Sequence, residues 1–584
     1  MKYREGFSGI KAKYPSIFEL NSEILLDPAA IEFIHEQLKD VNIDSKDVDV
    51  IGDVYQLLTG DSLKGNEGQF FTPASATTML LEMVNPKPGD IILDPACGSG
   101  GFLKSAALFL RNKGTSNQEI YKSLIGIEKD ASLNKLCSSR MSLLLEREFS
   151  ITCGDSIAWK AMDGHEFPKS RPELVSADCI FANPPFGKNI VAGTKEIVQG
   201  FDLAYKWKLN DGKNIFEKTE KLQNKPNIQV LFTERIISLT KNGGYIGLVL
   251  PESMISGRSY RHVVQYIANN TQIHACIGLP EEFFKTSGKG GTHTKVCLLV
   301  LEKKKIPDLE QKIFMAEAEW CGTDSRGRDI DRNDLPNILA NYLRFRDGIR
   351  YRKNKHPGFT IKQGELNDFC LAPRYYDPKP DKILTSLKDT HDLLRISDLQ
   401  EQGVLQIRTG HEVGKMAYGS GKIPFVRTSE ITNWEIKTSH KHGLSEEIYQ
   451  SYKNKQDVQA GDILMVRDGT YLIGACAMVT EDMKKMVYQS HVYKIRTLNH
   501  EIIHPNLLLA VLESDFVKIQ IKSKRFTLDI IDTLGHRISE LVLPIPKSKN
   551  QKNKIINKVK DAIDLRIKSR LSAKEATNLI EKVS

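Results

Sequence analysis

The sequence has little that would cross-link the folded chain. Its nine cysteines are scattered and odd in number, and they include no C-x-x-C pair, which argues against a disulfide framework and a structural zinc site. No apolar run approaches the roughly 20 residues needed to cross a bilayer. The first residues, MKYREGFSGIKAKYPS, contain charges but no apolar signal core. We therefore expect a cytoplasmic protein with reduced thiols, no metal and no membrane partner.

The sequence also lacks internal repeats, low-complexity segments and any evident nuclease or helicase motif. A chain of 584 residues is too long for one core, so we expect two or three domains. The net charge is +9, and basic residues clearly outnumber acidic ones between Lys518 and Arg570. Such an excess favours a polyanionic partner, although a run of charges is also typical of a solvated face.

Short apolar runs alternate with amphipathic stretches between residues 90 and 301. The runs DIILD, SLIGIE, DCIFAN, GYIGLVLP, HACIGLP and KVCLLVLE predict buried strands, and residues 101–112 and 228–240 predict helices. This alternation predicts an α/β fold, with a mostly parallel sheet and helices on both faces.

The regions on either side of this sheet have a different texture. Residues 1–65 show helical apolar spacing around Ile31 and Val54, and residues 306–385 are mixed and polar, with one helix candidate, LPNILANYLRFR. We interpret 306–385 as a connector. Residues 386–548 contain short strands broken by Gly and Asn, which predict a second, β-rich domain.

The last segment, residues 549–584, predicts one long helix. Its apolar residues recur every three or four positions and form one stripe between basic side chains: Ile556, Val559, Ile563, Ile567 and Leu571. A helix of this length needs a partner along its stripe.

The stretch DIILDPACGSGGFL places an acidic residue at the end of a predicted strand, followed by a glycine loop and a helix. Gly98, Gly100 and Gly101 allow a sharp turn and a close approach to a ligand. The loop lacks G-K-[ST], and Asp94 stands where a pyrophosphate would be repelled. A cationic ligand without phosphate suits this loop, and S-adenosylmethionine is such a ligand.

Two further acidic residues end the next predicted strands. Glu128 in LIGIEKD occupies the position from which a carboxylate accepts both ribose hydroxyls. Asp155 in CGDS is placed to accept from an adenine amino group. Each residue alone is more typical of a helix cap or a solvated loop, but three at successive strand ends favour a nucleoside site.

The stretch DCIFANPPFGK ends a buried strand with Asn183. An exocyclic amine on a base is a poor nucleophile because its lone pair is delocalised into the ring. The Asn183 side-chain oxygen and the Pro184 carbonyl can accept its two N–H groups and aim the lone pair at a methyl donor. Pro184 and Pro185 fix the backbone, and Phe186 can stack on a base extruded from the duplex. The alternative is that NPPF is a simple turn.

With these residues in view, residues 66–305 resemble the DNA amino-methyltransferases that form the modification subunits of Type I restriction systems and their fused relatives. GQFFTP, DPACGSGGFL and NPPF match motifs of that family in its order, and NPPF resembles the catalytic tetrapeptide of adenine N6 enzymes. The resemblance implies cofactor contacts from Phe71, Thr72, Pro73, Pro95 and Ala96. It also implies that Phe283 or Phe284 faces the flipped base opposite Phe186.

The C-terminal half resembles one target-recognition domain of a Type I specificity subunit together with the long helix that follows it. KIPFVRTSEITN, QAGDILMVRDGTYLIGACAMV and LVLPIPKSKNQKNKI carry this resemblance. Specificity subunits usually have two such domains, so a second copy of this chain or a specificity subunit is the expected partner of the helix. The alternative is that the helix folds back on its own chain.

The same half contains basic residues among aromatic ones, a mixture typical of double-stranded DNA binding. We expect DNA contacts from four residues, each of which alone is more typical of a surface charge: Lys422, Arg427, Lys524 and Arg525. The function predicted from the whole sequence is sequence-specific adenine N6 methylation of DNA in a restriction or phage-defence system, with a separate nuclease subunit as a possible partner. The alternatives are cytosine N4 methylation, a protein-glutamine or RNA methyltransferase, and a DNA-binding specificity or scaffold subunit with an inactive core.

Overall fold

The apolar runs of the first half form neighbouring strands of one large sheet in a computed structural model of the chain. The structure describes residues 2–15, 17–18, 21–39, 72–161, 176–186, 194–284, 294–349, 357–437, 442–469, 471–528 and 531–581. The chain divides into two compact units, Met1–Pro373 and Arg374–Ser584. Within the described ranges, no helix has the length and apolarity to cross a bilayer.

The strands of the first unit are β1 (Ile92–Asp94), β2 (Leu124–Glu128), β3 (Thr152–Asp155), β4 (Lys160–Ala161), β5 (Ala177–Ala182), β6 (Tyr205–Asn210), β7 (Ile215–Leu222), β8 (Thr240–Pro251), β9 (Thr271–Gly278), β10 (Val296–Lys303), β11 (Lys312–Glu317), β12 (Cys321–Thr323), β13 (Asp329–Asn333) and β14 (Phe359–Lys362). Its helices are Lys2–Lys13, Pro28–Leu38, Ala74–Val84, Gly101–Asn112, Asn117–Ser123, Ala131–Leu145, Lys195–Val198, Ile228–Leu239, Glu252–Ser256, Arg261–Asn270 and Leu335–Arg346.

The large sheet has the order β14-β11-β9-β10-β8-β5-β1-β2-β3-β4 among the described residues. The neighbours β3, β2, β1, β5 and β8 pair in parallel, whereas β10 runs antiparallel between β8 and β9. The predicted α/β class is confirmed, and each of the six apolar runs is a strand. Both helices predicted between them are also present, as Gly101–Asn112 and Ile228–Leu239.

Parallel pairing brings the carboxyl ends of β1, β2, β3 and β5 to one edge of the sheet. Leu93 pairs with Ile125 of β2 and with Ile180 of β5, so the residues that follow these strands come from similar heights. Open α/β sheets bind ligands at this edge. The glycine loop and the segment that begins at Asn183 both start there.

The predicted connector, residues 306–385, is not a separate link in the structure. Its strand β11 pairs with β9, and β14 pairs with β11 at the edge of the large sheet. The division between the two units falls only after Pro373. The sequence did not predict these strands, because neither has a long apolar run. β11 is short and flanked by charges, and β14 is half-buried along its whole length.

The second unit contains several small sheets. Its strands are β15 (His391–Arg395), β16 (Leu405–Thr409), β17 (Phe425–Val426), β18 (Ile431–Thr432), β19 (Glu435–Ile436), β20 (Ile463–Val466), β21 (Asp468–Gly469), β22 (Cys476–Met478), β23 (Val487–Tyr488), β24 (Val492–Thr497), β25 (Phe526–Leu528), β26 (Ile531–Thr533) and β27 (Val542–Pro546). Its helices are Pro378–Leu387, Ile396–Glu401, Glu446–Gln456, Pro505–Leu512, Asp515–Lys524 and Lys549–Glu581. The predicted β-rich texture is present, and its longest sheet has the order β16-β24-β20-β22.

The long C-terminal helix, Lys549–Glu581, packs on its own unit along its first half. Val559 is buried in the core of the unit, and Asn506 donates a hydrogen bond from Nδ2 to the Ile556 carbonyl at 3.3 Å. Arg570 then forms ion pairs with Glu435 and Asp482. Beyond this point the apolar side chains are exposed, and Leu579 is 59% accessible. The fold-back alternative therefore describes the first half of the helix, and the last turns keep an uncovered apolar side.

This difference between the two halves of the helix predicts different costs of truncation. Val559→Ala should lower the free energy of unfolding by about 2 kcal/mol, because it removes a fully buried branched side chain. Leu579→Ala is the matched control and should change that free energy by less than about 0.5 kcal/mol. Urea unfolding of the whole chain measures both variants. Equal effects would contradict the packing described here.

Candidate active site

The glycine loop follows β1 and adopts the backbone that its sequence predicts. Gly98 and Gly100 have φ values of +53° and +86°, in the left-handed region, where glycine is strongly favoured. A Cβ on Gly100 would lie 2.6 Å from the Cys137 sulfur, whereas one on Gly98 would meet no protein atom within 4 Å. The loop is thus closed against the Ala131–Leu145 helix on one side and open at Gly98, and Gly101 begins the next helix.

Asp94 is buried at the end of β1, where its Oδ1 accepts a hydrogen bond from the Ala96 amide at 3.1 Å. Burial raises the pKa of Asp94 to about 8, and the nearby Glu128 adds to this rise, although the Ala96 amide opposes it. A carboxyl group in such surroundings is destabilised as an anion until a positive charge is brought near it. Its position after the first strand agrees with the prediction.

Glu128 reaches across from β2 to the glycine loop. Its two carboxylate oxygens accept hydrogen bonds from the Gly98 and Asp130 amides, each at 2.8 Å. Burial raises the pKa of Glu128 even though these amides favour the anion. The residue predicted to bind a ligand therefore also fixes the open side of the loop, and each oxygen keeps further acceptor capacity.

Asp155, which was predicted to accept from an adenine amino group, already has several hydrogen-bond and ion-pair partners within the protein. Its Oδ1 accepts from the Ile157 and Ala158 amides, and Lys129 contacts its Oδ2 at 2.9 Å. Partial burial favours a higher pKa, but Lys129 and the amides outweigh it and lower the pKa of Asp155. Ser156 also donates to the Pro95 carbonyl at 2.6 Å, so the segments after β1 and β3 are joined.

Asn183 lies at the end of β5 with its amide held on one side only. Its Nδ2 donates to the Thr72 hydroxyl oxygen at 3.0 Å. Its Oδ1 is buried and has no hydrogen-bond partner in the part of the chain that the structure describes. A buried acceptor in this state costs about 1–3 kcal/mol, so the site suits a ligand that donates an N–H group.

The aromatic residues predicted around a base lie together in a different arrangement. Phe186 is 7% accessible, and its ring packs edge-to-face against Phe284 at 6.1 Å between centroids. Phe283 packs in the same manner on Phe284 at 5.7 Å. The predicted opposition of Phe186 and Phe283 or Phe284 across a flat base therefore requires these rings to separate. Pro184 and Pro185 adjoin this cluster, and Thr72 and Pro73 precede the Ala74–Val84 helix, whereas Phe71 lies outside the described residues.

The four predicted DNA contacts differ in how far they are free to bind phosphate. Lys422 is exposed, and Arg427 donates to His442 at 3.0 Å. Lys524 pairs with Glu540 at 3.1 Å, and Arg525 pairs with Asp532 at 3.2 Å. Lys524 and Arg525 are thus engaged in ion pairs within the second unit. The sequence did not predict this, because a basic stretch of sequence does not show which acidic side chains lie near it in the fold.

The structure also brings together two basic residues that were not among the four predicted DNA contacts, Arg408 and Arg467. A cleft of about 320 Å³ in the second unit is lined by side chains from separate strands and a short helical turn: Gln400, Ile407, Arg408, Thr409, Arg467, Tyr493, Gly535, His536, Ile538 and Ser539. Arg408 is exposed on β16. Arg467 lies beside Asp468 at 3.2 Å. They are separated by 59 positions in the sequence, and the fold brings them to one cleft.

Comparison with known proteins supports two distinct parts. Residues 46–379 match the family model described as N-6 DNA Methylase. Residues 402–573 match the model described as Type I restriction modification DNA specificity domain.

Individual relatives match the first part of the chain. The methylase subunit of the Type I restriction enzyme EcoEI from Escherichia coli is 27% identical over 310 residues, which are 48% of this chain and 56% of that protein. The methylase subunit of MjaIX from Methanocaldococcus jannaschii is 24% identical over 346 residues, which are 56% of this chain and 55% of that protein. The chain thus spans little more than half the length of these relatives. Among solved structures, the methyltransferase subunit of a Type I system from Streptococcus thermophilus is 18% identical with a TM-score of 0.40, covering 59% of this chain and 67% of that one.

The raised pKa of Asp94 predicts that this residue makes the free energy of unfolding depend on pH. The ordinary pKa of Asp is about 4, and the folded value is about 8. Between these values the folded state binds one proton more than the unfolded state, so this group lowers the free energy of unfolding as the pH rises. Asp94→Asn should remove that contribution, and the variant should gain up to about 1.4 kcal/mol per pH unit relative to the wild type.

Urea unfolding of the ligand-free chain between pH 5 and pH 9 measures this difference. The exposed Asp331, changed to Asn, is the matched control for the substitution itself. A constant difference for Asp94→Asn would contradict the argument.

Proposed function

The chain belongs to the N-6 DNA methylase family, and from this premise we propose that it transfers a methyl group to the N6 amine of adenine in DNA. The relatives named above are methylase subunits of restriction enzymes. The activity is assigned to the first unit, and selection of the target sequence to the second unit.

The observation that carries the proposal is the buried Oδ1 of Asn183, which has no hydrogen-bond partner among the described residues. An adenine amine has two N–H groups to donate, and Oδ1 and the Pro184 carbonyl are the acceptors proposed for them. With both N–H groups held, the nitrogen lone pair is turned away from the ring and becomes available for bond formation. Asn183 stands at the carboxyl edge of the sheet, beside the strand that begins the glycine loop.

The residues around the glycine loop fit S-adenosylmethionine as the methyl donor. When bound, this cofactor supplies an electrophilic methyl group on a sulfonium. Asp94 and Glu128, whose pKa values burial raises, would bind its cationic and hydroxyl groups. Asp155 would approach the adenine end with the acceptor capacity that Lys129 leaves, and the open backbone at Gly98 gives the ligand room. Proximity of a cation lowers the pKa of the Asp94 carboxyl and restores its charge.

We assign double-stranded DNA as the partner of the second unit. The match of residues 402–573 to a DNA specificity domain supports this role, and the cleft that contains Arg408 and Arg467 offers guanidinium groups suited to phosphate. The exposed apolar side of the last helical turns supports pairing with a second copy of the chain or with a specificity subunit. A restriction nuclease subunit is a further partner that we propose.

Removal of the Asn183 amide tests the catalytic proposal. Asn183→Ala should reduce methyl transfer on the order of a hundredfold to a thousandfold, a typical loss for one preorganised polar group, while DNA retention persists. Nucleoside analysis after incubation with labelled S-adenosylmethionine and genomic DNA measures the product. Asn341→Ala, in the Leu335–Arg346 helix of the same unit, is the matched control. Unchanged transfer by Asn183→Ala would refute the site, and N4-methylcytosine as the product would refute the choice of base.

Neutralising the cleft tests the proposed DNA surface. Arg408→Gln together with Arg467→Gln should weaken DNA binding and reduce the slope of log affinity against log salt by about two. The wild-type affinity should fall on the order of a thousandfold between 50 and 200 mM salt if six or more phosphates are contacted. Lys382→Gln, an exposed charge outside the cleft, should change the slope by less. A flat salt profile of the wild type would contradict DNA binding by this unit.

A further inference from the structure

A hydrogen bond to Thr72 engages the donor end of the Asn183 amide. An asparagine side chain has one acceptor end and one donor end. An adenine amine donates only, so catalysis requires Oδ1 toward the base and Nδ2 away from it. In the structure, Nδ2 donates to the Thr72 Oγ1 at 3.0 Å, and Oδ1 is left without a partner among the described residues.

The Thr72 hydroxyl could hold the amide in either orientation. A hydroxyl both donates and accepts, so Thr72 could instead donate to Oδ1, and Nδ2 would then face the base. Two donors would oppose each other in that state, and the amine could not be held. Thr72 favours the productive orientation only when its own proton is donated to another acceptor. The bond to Asn183 is the one hydrogen bond shown for this hydroxyl in the described ranges.

Thr72 is held close to the elements that form the proposed cofactor site. It directly precedes Pro73 and the Ala74–Val84 helix, which packs on the Gly101–Asn112 helix that follows the glycine loop. The Thr77 and Ser105 hydroxyls join these two helices at 2.7 Å. A carboxylate bound beside Thr72, such as that of an amino acid, would accept its proton in a charge-assisted hydrogen bond.

We propose that Thr72 is a positioning residue that couples occupancy of the cofactor site to the orientation of the Asn183 amide. When a carboxylate accepts the Thr72 proton, the Thr72 oxygen becomes an acceptor and holds Nδ2, so Oδ1 faces the base. Without that carboxylate the amide populates both orientations, and the chains that present a donor to the amine bind the base poorly. The proposal rests on the proposed function, and it predicts positive cooperativity between cofactor and extruded base.

Cooperativity is measured without methyl transfer. The probes are S-adenosylhomocysteine, which keeps the amino acid carboxylate but has no methyl group to transfer, and a duplex that keeps the target adenine, at a site found by methylation sequencing, and carries 2-aminopurine as its neighbour on the same strand. In the wild type, S-adenosylhomocysteine should tighten duplex binding and increase the fluorescence of the 2-aminopurine that the extruded adenine leaves unstacked, with a coupling factor on the order of tenfold.

Three substitutions separate positioning from general damage. Thr72→Val removes the hydroxyl at constant shape and should bring the coupling factor close to one, and Thr72→Ser should retain it. Thr271→Val is the matched control, because the Thr271 hydroxyl is buried at the start of β9 and, among the described residues, is shown to donate to the Ile267 carbonyl of the preceding helix. Retained coupling in Thr72→Val, or lost coupling in Thr271→Val, would overturn the proposal.

A double-mutant cycle tests the orientation itself. A carboxylate presents an acceptor whichever way it is turned, so Asn183→Asp should make duplex binding insensitive to Thr72→Val, within about twofold. If Thr72→Val still lowers coupling severalfold in the Asn183→Asp chain, orientation is not the mechanism. If the wild type neither transfers methyl groups nor binds S-adenosylhomocysteine, the proposed function is refuted instead. Intact transfer with no wild-type coupling would refute this inference alone.

Discussion

Parallel pairing of β1, β2, β3 and β5 is the constraint on which the site depends. It places the glycine loop, Glu128, Asp155 and Asn183 at one edge of the sheet, although 89 positions separate Asp94 from Asn183 in the sequence. No one of these residues is unusual by itself. Their chemistry becomes specific because the ends of neighbouring strands must share a height and a direction.

The same edge keeps polar groups in a state that folding alone would not favour. Asp94 is buried with a pKa raised to about 8, and the Asn183 Oδ1 is buried without a partner in the described part of the chain. A core built only for stability would replace or satisfy such groups. Two of them at the ends of neighbouring strands, one suited to a cation and one to an N–H donor, are better explained by ligand binding. Functional sites are where such costs are expected.

The sequence predicted the features that depend on local pattern. Buried strands produce apolar runs, and the turn after β1 needs glycine, so the strands, the Gly101–Asn112 helix and the positions of Asp94, Glu128 and Asn183 follow from spacing. Contacts between distant segments leave no such pattern. The bond from Asn183 to Thr72, the Lys129 contact with Asp155 and the cleft that joins Arg408 to Arg467 arise only from the fold. The edge strand β14 was missed for a related reason, since a half-buried strand has no apolar run.

The C-terminal helix shows why an apolar stripe identifies a need for burial but not its partner. The stripe was expected to pair with another chain or to fold back. On this one helix, Val559 is buried and Leu579 is exposed. Where the helix runs beside the core of its unit, Val559 is covered and Arg570 is fixed by Glu435 and Asp482. Past that point Leu571, the last residue of the predicted stripe, is exposed, and so are Leu579 and Ile580. The length of an amphipathic helix relative to the domain beneath it therefore determines how much apolar side remains for another molecule, and this length can be judged only once the domain is known.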